Sequence, residues 1–141
     1  MLQSIRRRAA GEKGFTLIEL LVVILIIGIL AAIAIPSFIN QRTKGQDANA
    51  KSWARTTATA EETYFTDNQN YNGTLANLVT IEPTLANYPS STTPTVTAGA
   101  SSYSISVPSK SGGIFIYGRD SAGNITRTCT GGTGGCNSGS W

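Results

Sequence analysis

Few side chains in this sequence are equipped for chemistry. It has no histidine, which removes the commonest general base, His-dependent nucleophile triads and His-ligated metals. Cys129 and Cys136 lie close together near the C-terminal end. A metal held there would need two further ligands, and the chain has no other Cys and no His to give. One nearby pair in a chain that leaves the cytoplasm reads instead as a disulfide, a structural staple contributing roughly 2–3 kcal/mol in the chain-entropy description. Gly131-Gly132 and Gly134-Gly135 superficially suit a phosphate, but phosphate-cradling loops need a strand before them, a helix after them and usually a lysine. Here they form flexible loop, and no nucleotide site is expected. The remaining unusual group is Glu19. It is the single charge in residues 15–35, and from Leu20 to Gln41 there is none at all. A carboxylate in such a run costs on the order of 2.5–3.5 kcal/mol on membrane-insertion scales, so it requires a partner.

The elements that would position these groups follow from the pattern. The chain of 141 residues has room for one domain and an appendage. Residues 1–14 are short, basic and without apolar periodicity, and read as a targeting leader outside the fold. Residues 15–35 are long and apolar enough to cross a hydrocarbon core of roughly 30 Å as a helix, at about 1.5 Å per residue. Gly28 and Pro36 are tolerated in such a helix, and Pro36 is expected to kink or loosen it. Beyond Pro36 the helix becomes amphipathic, with Ile39, Ala50, Trp53, Thr57, Ala60 and Tyr64 on one face and Lys51, Arg55 and Glu61 elsewhere. It is expected to stop near residue 66, before Asp67-Asn68-Gln69-Asn70. A helix from Phe15 to Phe65 would be about 75 Å long, more than a small core can bury. Half of it must therefore meet a membrane or other copies of itself.

Residues 68–100 are rich in Asn, Thr, Ser and Pro and read as a long surface loop with room for one short helix. The period then becomes two. Tyr103, Ile105 and Val107 alternate with serines, Ile114–Tyr117 forms a second strand and residues 124–129 a third, with residues 119–123 as the turn between the last two. The fold class is α+β: a long N-terminal helix, apolar in its first half and amphipathic in its second, packed on an antiparallel sheet of three or four strands. Trp53 and Tyr64 are expected to meet Ile105, Val107 and Ile114 or Ile116. Three parts result: the leader 1–14, the membrane or filament-core helix 15–41, and a globular head 42–141.

Charge narrows the partners. The formal net charge is +3 with a pI near 9.1, but Arg6, Arg7, Arg8 and Lys13 against Glu12 account for all of it. Without the leader the chain is neutral, with no basic stripe for nucleic acid. Trp53, Tyr64, Phe65 and Tyr71 are better read as core than as a stacking platform for single strands. Two N-x-[ST] triplets, at Asn72 and Asn124, are expected by chance in a chain so rich in Ser, Thr and Asn.

Between leader and apolar run lies Gly14-Phe15-Thr16-Leu17-Ile18-Glu19. This GFTLIE junction resembles that of the type IV pilin and type II secretion pseudopilin family, and the following LLVVILIIGILAAIAIPSF resembles the family's apolar helix, proline included. The likeness is strong over residues 14–39 and weaker over 60–78. It implies that a prepilin peptidase cleaves between Gly14 and Phe15 and methylates the new amine. It also implies that Glu19 takes the Phe15 amine of a neighbouring subunit as its partner, setting axial register. A buried ion pair is better attested for registry than for stability. The resemblance further implies a filamentous homo-oligomer whose precursor waits in the inner membrane and whose assembly is driven by the ATPase of dedicated machinery. The closest class is a type IV major pilin, which is no enzyme and takes no cofactor or small-molecule substrate. A pseudopilin is the alternative, but those the family suggests carry an acidic calcium site and lack a cysteine pair, whereas Asp120 is the single acid after Glu82. An ordinary secretory signal cut after Ala32-Ile33-Ala34 and a plain single-span anchor are weaker readings, because neither gives Glu19 a purpose. Motility, adhesion, DNA uptake and electron transfer all remain open uses for such a filament.

Overall fold

The computed structural model describes residues 14–131 and 134–141; residues 1–13, read above as most of a basic leader, and residues 132 and 133 lie outside the described residues. The chain divides into two compact units, Met1–Ser37 and Phe38–Trp141. Helix α1, Leu17–Asn68, contains Pro36 without a break in its assignment. Pro36 has no N–H to donate, so one backbone bond of the helix is missing there. The helix ends where polar residues cluster. Gln69 takes a left-handed conformation (φ 56°) and donates its N–H to Phe65 O at 2.8 Å, satisfying a terminal carbonyl.

Within the second unit, α1 buries Asp47, Ala50, Ala54, Thr57, Ala58, Ala60 and Glu61. The three- and four-residue steps put most of these on one face, and the alanines let the helix approach the sheet closely. The expected amphipathic face is corrected in two places. Ile39 is half exposed. Glu61, placed on the outer face by sequence, is fully buried, because the inner stripe steps from Ala54 through Thr57 and Ala58 to it.

The sheet is an antiparallel meander of β1 (Thr95–Ala98), β2 (Tyr103–Pro108), β3 (Ile114–Arg119) and β4 (Ile125–Thr130), in that spatial order. Three strands fall where the period of two predicts them. β1 was not foreseen, since TVTA is too short and polar to stand out from its loop. The inner face carries Tyr103, Ile105 and Val107 from β2 and Phe115 and Tyr117 from β3. This corrects the expectation for Ile114 and Ile116. The register sets Val107 opposite Phe115 and Ile105 opposite Tyr117, so the aromatics share the inner face. Successive side chains alternate faces, which turns Ile114 outward, 39% exposed.

The stretch read as surface loop is largely structured. It holds helix α2 (Leu75–Ile81) and 3₁₀ turns at Pro83–Asn87 and Ser90–Thr92. Leu78 and Leu85 form a second small core with Ala60, and Tyr64 packs there, not on the sheet. Trp53 borders both cores and lies 4.4 Å from Tyr88, centroid to centroid.

Candidate assembly surface

Gly14, Phe15 and Thr16 precede the helix and are exposed. An ideal Cβ at Gly14 would meet nothing within 4 Å, so the Gly14–Phe15 peptide bond is open to approach. The helix then begins on a reciprocal cap. Glu19 Oε2 accepts from Thr16 N at 2.9 Å and from Thr16 Oγ1 at 2.8 Å, while Thr16 Oγ1 accepts from Glu19 N at 3.2 Å. Such a capping box satisfies helix-terminal N–H groups that otherwise have no partner, and a carboxylate in the first turn also suits the helix dipole. The signal was present in the sequence as Thr16-x-x-Glu19 before an apolar run, though the family junction drew attention to Glu19 alone. Oε1 makes no hydrogen bond among the described residues.

From Phe15 to Ile39 the large apolar side chains stand between 45% and 80% exposed. Isolated soluble proteins rarely leave so much contiguous apolar surface in water. Gly28 opens a notch in this surface, with nothing within 4 Å of an ideal Cβ, between Ile24, Leu25, Ile29 and Ala32. Small residues at such positions admit a second helix closely.

In the head unit, buried carboxylates tie α1 to the sheet and the C-terminal loop. Asp47, wholly buried, accepts from Ser109 Oγ at 2.7 Å, from Ser111 Oγ, and from Gly135 N at 2.8 Å. Lys51 Nζ donates to Gly135 O and lies 5.2 Å from the Phe115 ring centre. Cys129 and Cys136 are joined in a disulfide, which holds this loop against β4. Glu61 Oε2 accepts from Asn72 N at 2.8 Å, while Oε1 and Asn72 Nδ2 are buried without partners among the described residues. Burial pushes the Glu61 carboxyl up to about 7, the Asn72 hydrogen bond opposing and Glu62 reinforcing the shift.

Glu62, partly exposed, receives Arg119 Nη1 on both oxygens (2.7 and 2.8 Å), Tyr103 OH at 3.0 Å and Tyr71 OH at 3.2 Å. Burial and the Glu62 charge push both tyrosines up, and the hydrogen bond to Glu62 raises Arg119. Tyr71 belongs to the core as expected, stacked on Phe65 and edge-on to Tyr103. Trp141, which sequence reasoning did not single out, packs on Phe115 and Tyr117 and donates Nε1 to Thr128 O at 2.9 Å.

These features define a class of protein: one whose N-terminal apolar helix has no partner among the described residues of its own unit, joined in sequence to an α+β head with a core of its own. Comparison with known proteins carries the assignment further. A family profile described as the prokaryotic N-terminal methylation motif matches residues 10–35. The type IV wide pilus major component PilA4 of Thermus thermophilus is 34% identical over 121 residues, 85% of this chain and 90% of that protein. The type IV major pilin protein PilA of Myxococcus xanthus is 45% identical over 60 residues, 43% of this chain but only 27% of that protein. The type II secretion system core protein G of Escherichia coli is 37% identical over 88 residues, 58% of this chain and 61% of its own length. The chain belongs to the type IV pilin and pseudopilin family.

Proposed function

We propose that this chain is the major structural subunit of a type IV pilus. The observation that carries the reading is the exposed apolar stretch from Phe15 to Ile39 with a single carboxylate, Glu19, in the first turn of its helix. A surface of this kind must be covered, by lipid before assembly and by other copies after it. The precursor waits in the cytoplasmic membrane with its head outside the cytoplasm. A prepilin peptidase cuts between Gly14 and Phe15 and the new amine is methylated. The free Oε1 of Glu19 then accepts the Phe15 amine of a neighbouring subunit, and the Leu20–Ile35 helices of many copies form a shared apolar core with Pro36 at its edge. The role is structural, and the work of extraction from the membrane is done by the assembly ATPase. Residues 1–14 act as the leader, 15–41 as the filament core and 42–141 as the head.

A pseudopilin is the second reading, supported by the likeness to core protein G. Against it, Asp120, the one acid after Glu82, spends its oxygens on Ala122 N, Asn124 N and Asn124 Nδ2 within its own turn. Mass spectrometry of filaments sheared from the producing cells tests the choice. A dominant chain beginning at N-methylated Phe15 is expected. Processed chain confined to the cell envelope would favour the pseudopilin, and a chain beginning at Ile35 would end the filament reading.

A further inference from the structure

The head unit separates its charges along α1. One end holds Arg42 and Lys44 on the helix and Lys110 in the β2–β3 turn, all exposed, with Lys51 about two turns further on. That these sit together follows from Asp47, which hydrogen-bonds Ser109 and Ser111 on either side of Lys110. Asp47 is the one acid at this end, and it is buried with its oxygens occupied. The opposite end holds Asp67 on the last turn of α1 and Asp120 in the β3–β4 turn, both exposed. The Glu62–Arg119 ion pair places that turn beside the end of the helix. Arg119 is already committed to Glu62, so the two aspartates are not neutralised by it; the donors that Asp120 receives from Ala122 N, Asn124 N and Asn124 Nδ2 are neutral and leave its exposed negative charge in place. Lys44 and Asp67 are 23 residues apart on one helix, about 35 Å at the α-helical rise.

We propose that the cationic end of one head docks on the anionic end of another copy of this chain, with Lys44 and Lys110 pairing with Asp67 and Asp120. This deepens the filament reading and rests on it. A surface whose two complementary patches lie at opposite ends cannot satisfy itself within one molecule, and the antiparallel two-fold pair that would join both patches is closed to chains whose apolar helices enter one membrane or filament core in parallel. It is satisfied by repeated head-to-tail contact, which generates an open helical array. The cationic end also offers a recess. A cavity of about 70 Å³ there has a mainly apolar lining that includes Ala50, Trp53 and Pro89, with Gln46, Asn49 and Lys110 beside them. Complementary charge of this kind selects orientation and register more than it adds affinity, and it weakens with salt. In this arrangement Glu19 sets register in the apolar core and the head charges set it again at the surface.

The test is zero-length carbodiimide cross-linking of the full chain in the producing cells, with peptide mass spectrometry of both sheared filaments and cell envelope. The reagent activates a carboxylate, and an amine within contact distance then attacks it to form the amide while the urea leaves, so a link reports side chains that meet. Amides joining Lys44 or Lys110 to Asp67 or Asp120 are expected. Because Lys44 and Asp67 of one chain are far apart, a link between those two can arise only between copies. Absence of these links from filaments that do form would overturn the docking while leaving the pilus reading intact. Links found in the envelope of cells that shed no filaments would support the docking and overturn the pilus reading. Absence from both fractions would overturn the docking as well. Charge reversal gives a second readout. Lys44→Glu with Lys110→Glu is expected to lower filament yield about ten-fold, and adding Asp67→Lys to restore it to within about two-fold of the parent. A loss that Asp67→Lys fails to restore would mean that the cations face anionic lipid, and would overturn the head-to-tail contact.

Discussion

Two carboxylates on α1 show how differently one residue type behaves according to what surrounds it. Glu19 is exposed on an apolar helix and is half satisfied by its own Thr16. Glu19→Ala removes the partner proposed for the Phe15 amine of the next subunit. It is expected to leave cleavage at Gly14–Phe15 intact while lowering incorporation into filaments more than about ten-fold, read by comparing processed chain in membrane and sheared fractions. The Thr16 cap is lost as well, at about 1 kcal/mol of helix stability, too little to account for such a drop. Glu61 is the opposite case, fully buried with one oxygen unpartnered. Its carboxyl is held up to about 7 from an ordinary 4.5, so between those values the folded chain binds a proton that the unfolded chain has lost. Its contribution to stability is therefore fully present below about pH 4.5, declines as pH rises and is gone above about 7, a total on the order of 3 kcal/mol. Denaturant unfolding of the detergent-solubilised chain at pH 5 and pH 8 is expected to show that loss. Glu61→Gln, which keeps an acceptor for Asn72 N, is expected to flatten it.

At the scale of elements, the head is held by the clamp between α1, the β2–β3 turn and the disulfide loop. Asp47 satisfies donors from two segments far apart in sequence, Ser109 and Ser111 from one and Gly135 from the other. Asp47→Ala leaves those donors unpaired in a buried place, at a cost of about 2–4 kcal/mol. Cys129→Ser with Cys136→Ser removes a short-loop constraint worth roughly 2–3 kcal/mol. The two changes are expected to be less than additive, because Gly135 reaches Asp47 only while the loop is held, and residues sharing a network couple. Unfolding midpoints of the two variants and their combination measure that coupling. The helix junctions were readable in advance, from the polar cluster Asp67–Asn70 and from the apolar run after Glu19. The Asp47 clamp was not. An isolated acid eleven residues beyond Pro36 looks like any solvated helix charge until the turn that receives it is in place.

For the whole molecule, the decisive property is the disparity between the units. Phe38–Trp141 has its own buried core, whereas the apolar window of α1 is unburied throughout. Chain processed to begin at Phe15 is accordingly expected to stay in alkaline-washed membranes and to need detergent for release. Assembled filaments, in which the helices cover one another, are expected to stay in suspension without it. Finding the processed but unassembled chain in the soluble fraction would contradict this account of the helix.

What the sequence determined by itself was the part written in short-range order. The basic charge before Gly14, the GFTLIE junction, the uncharged run from Leu20 to Gln41 and the alternation in β2 are each legible from neighbours a few residues apart, because helix and strand periods are local. The α+β class and the family followed from them. The tertiary structure alone decided which pleat of β3 faces inward, since the pairing of Val107 with Phe115 is a long-range register and one residue of slip would have put Ile114 and Ile116 there instead. It alone decided that β1 forms, because TVTA becomes a strand by pairing with β2 and not by its own propensity. It also buried Asp47 and Glu61, carried Tyr64 into a second core under α2, and brought Trp141 onto the sheet. Each of these depends on partners dozens of residues away, and no window of sequence contains both sides of such a contact.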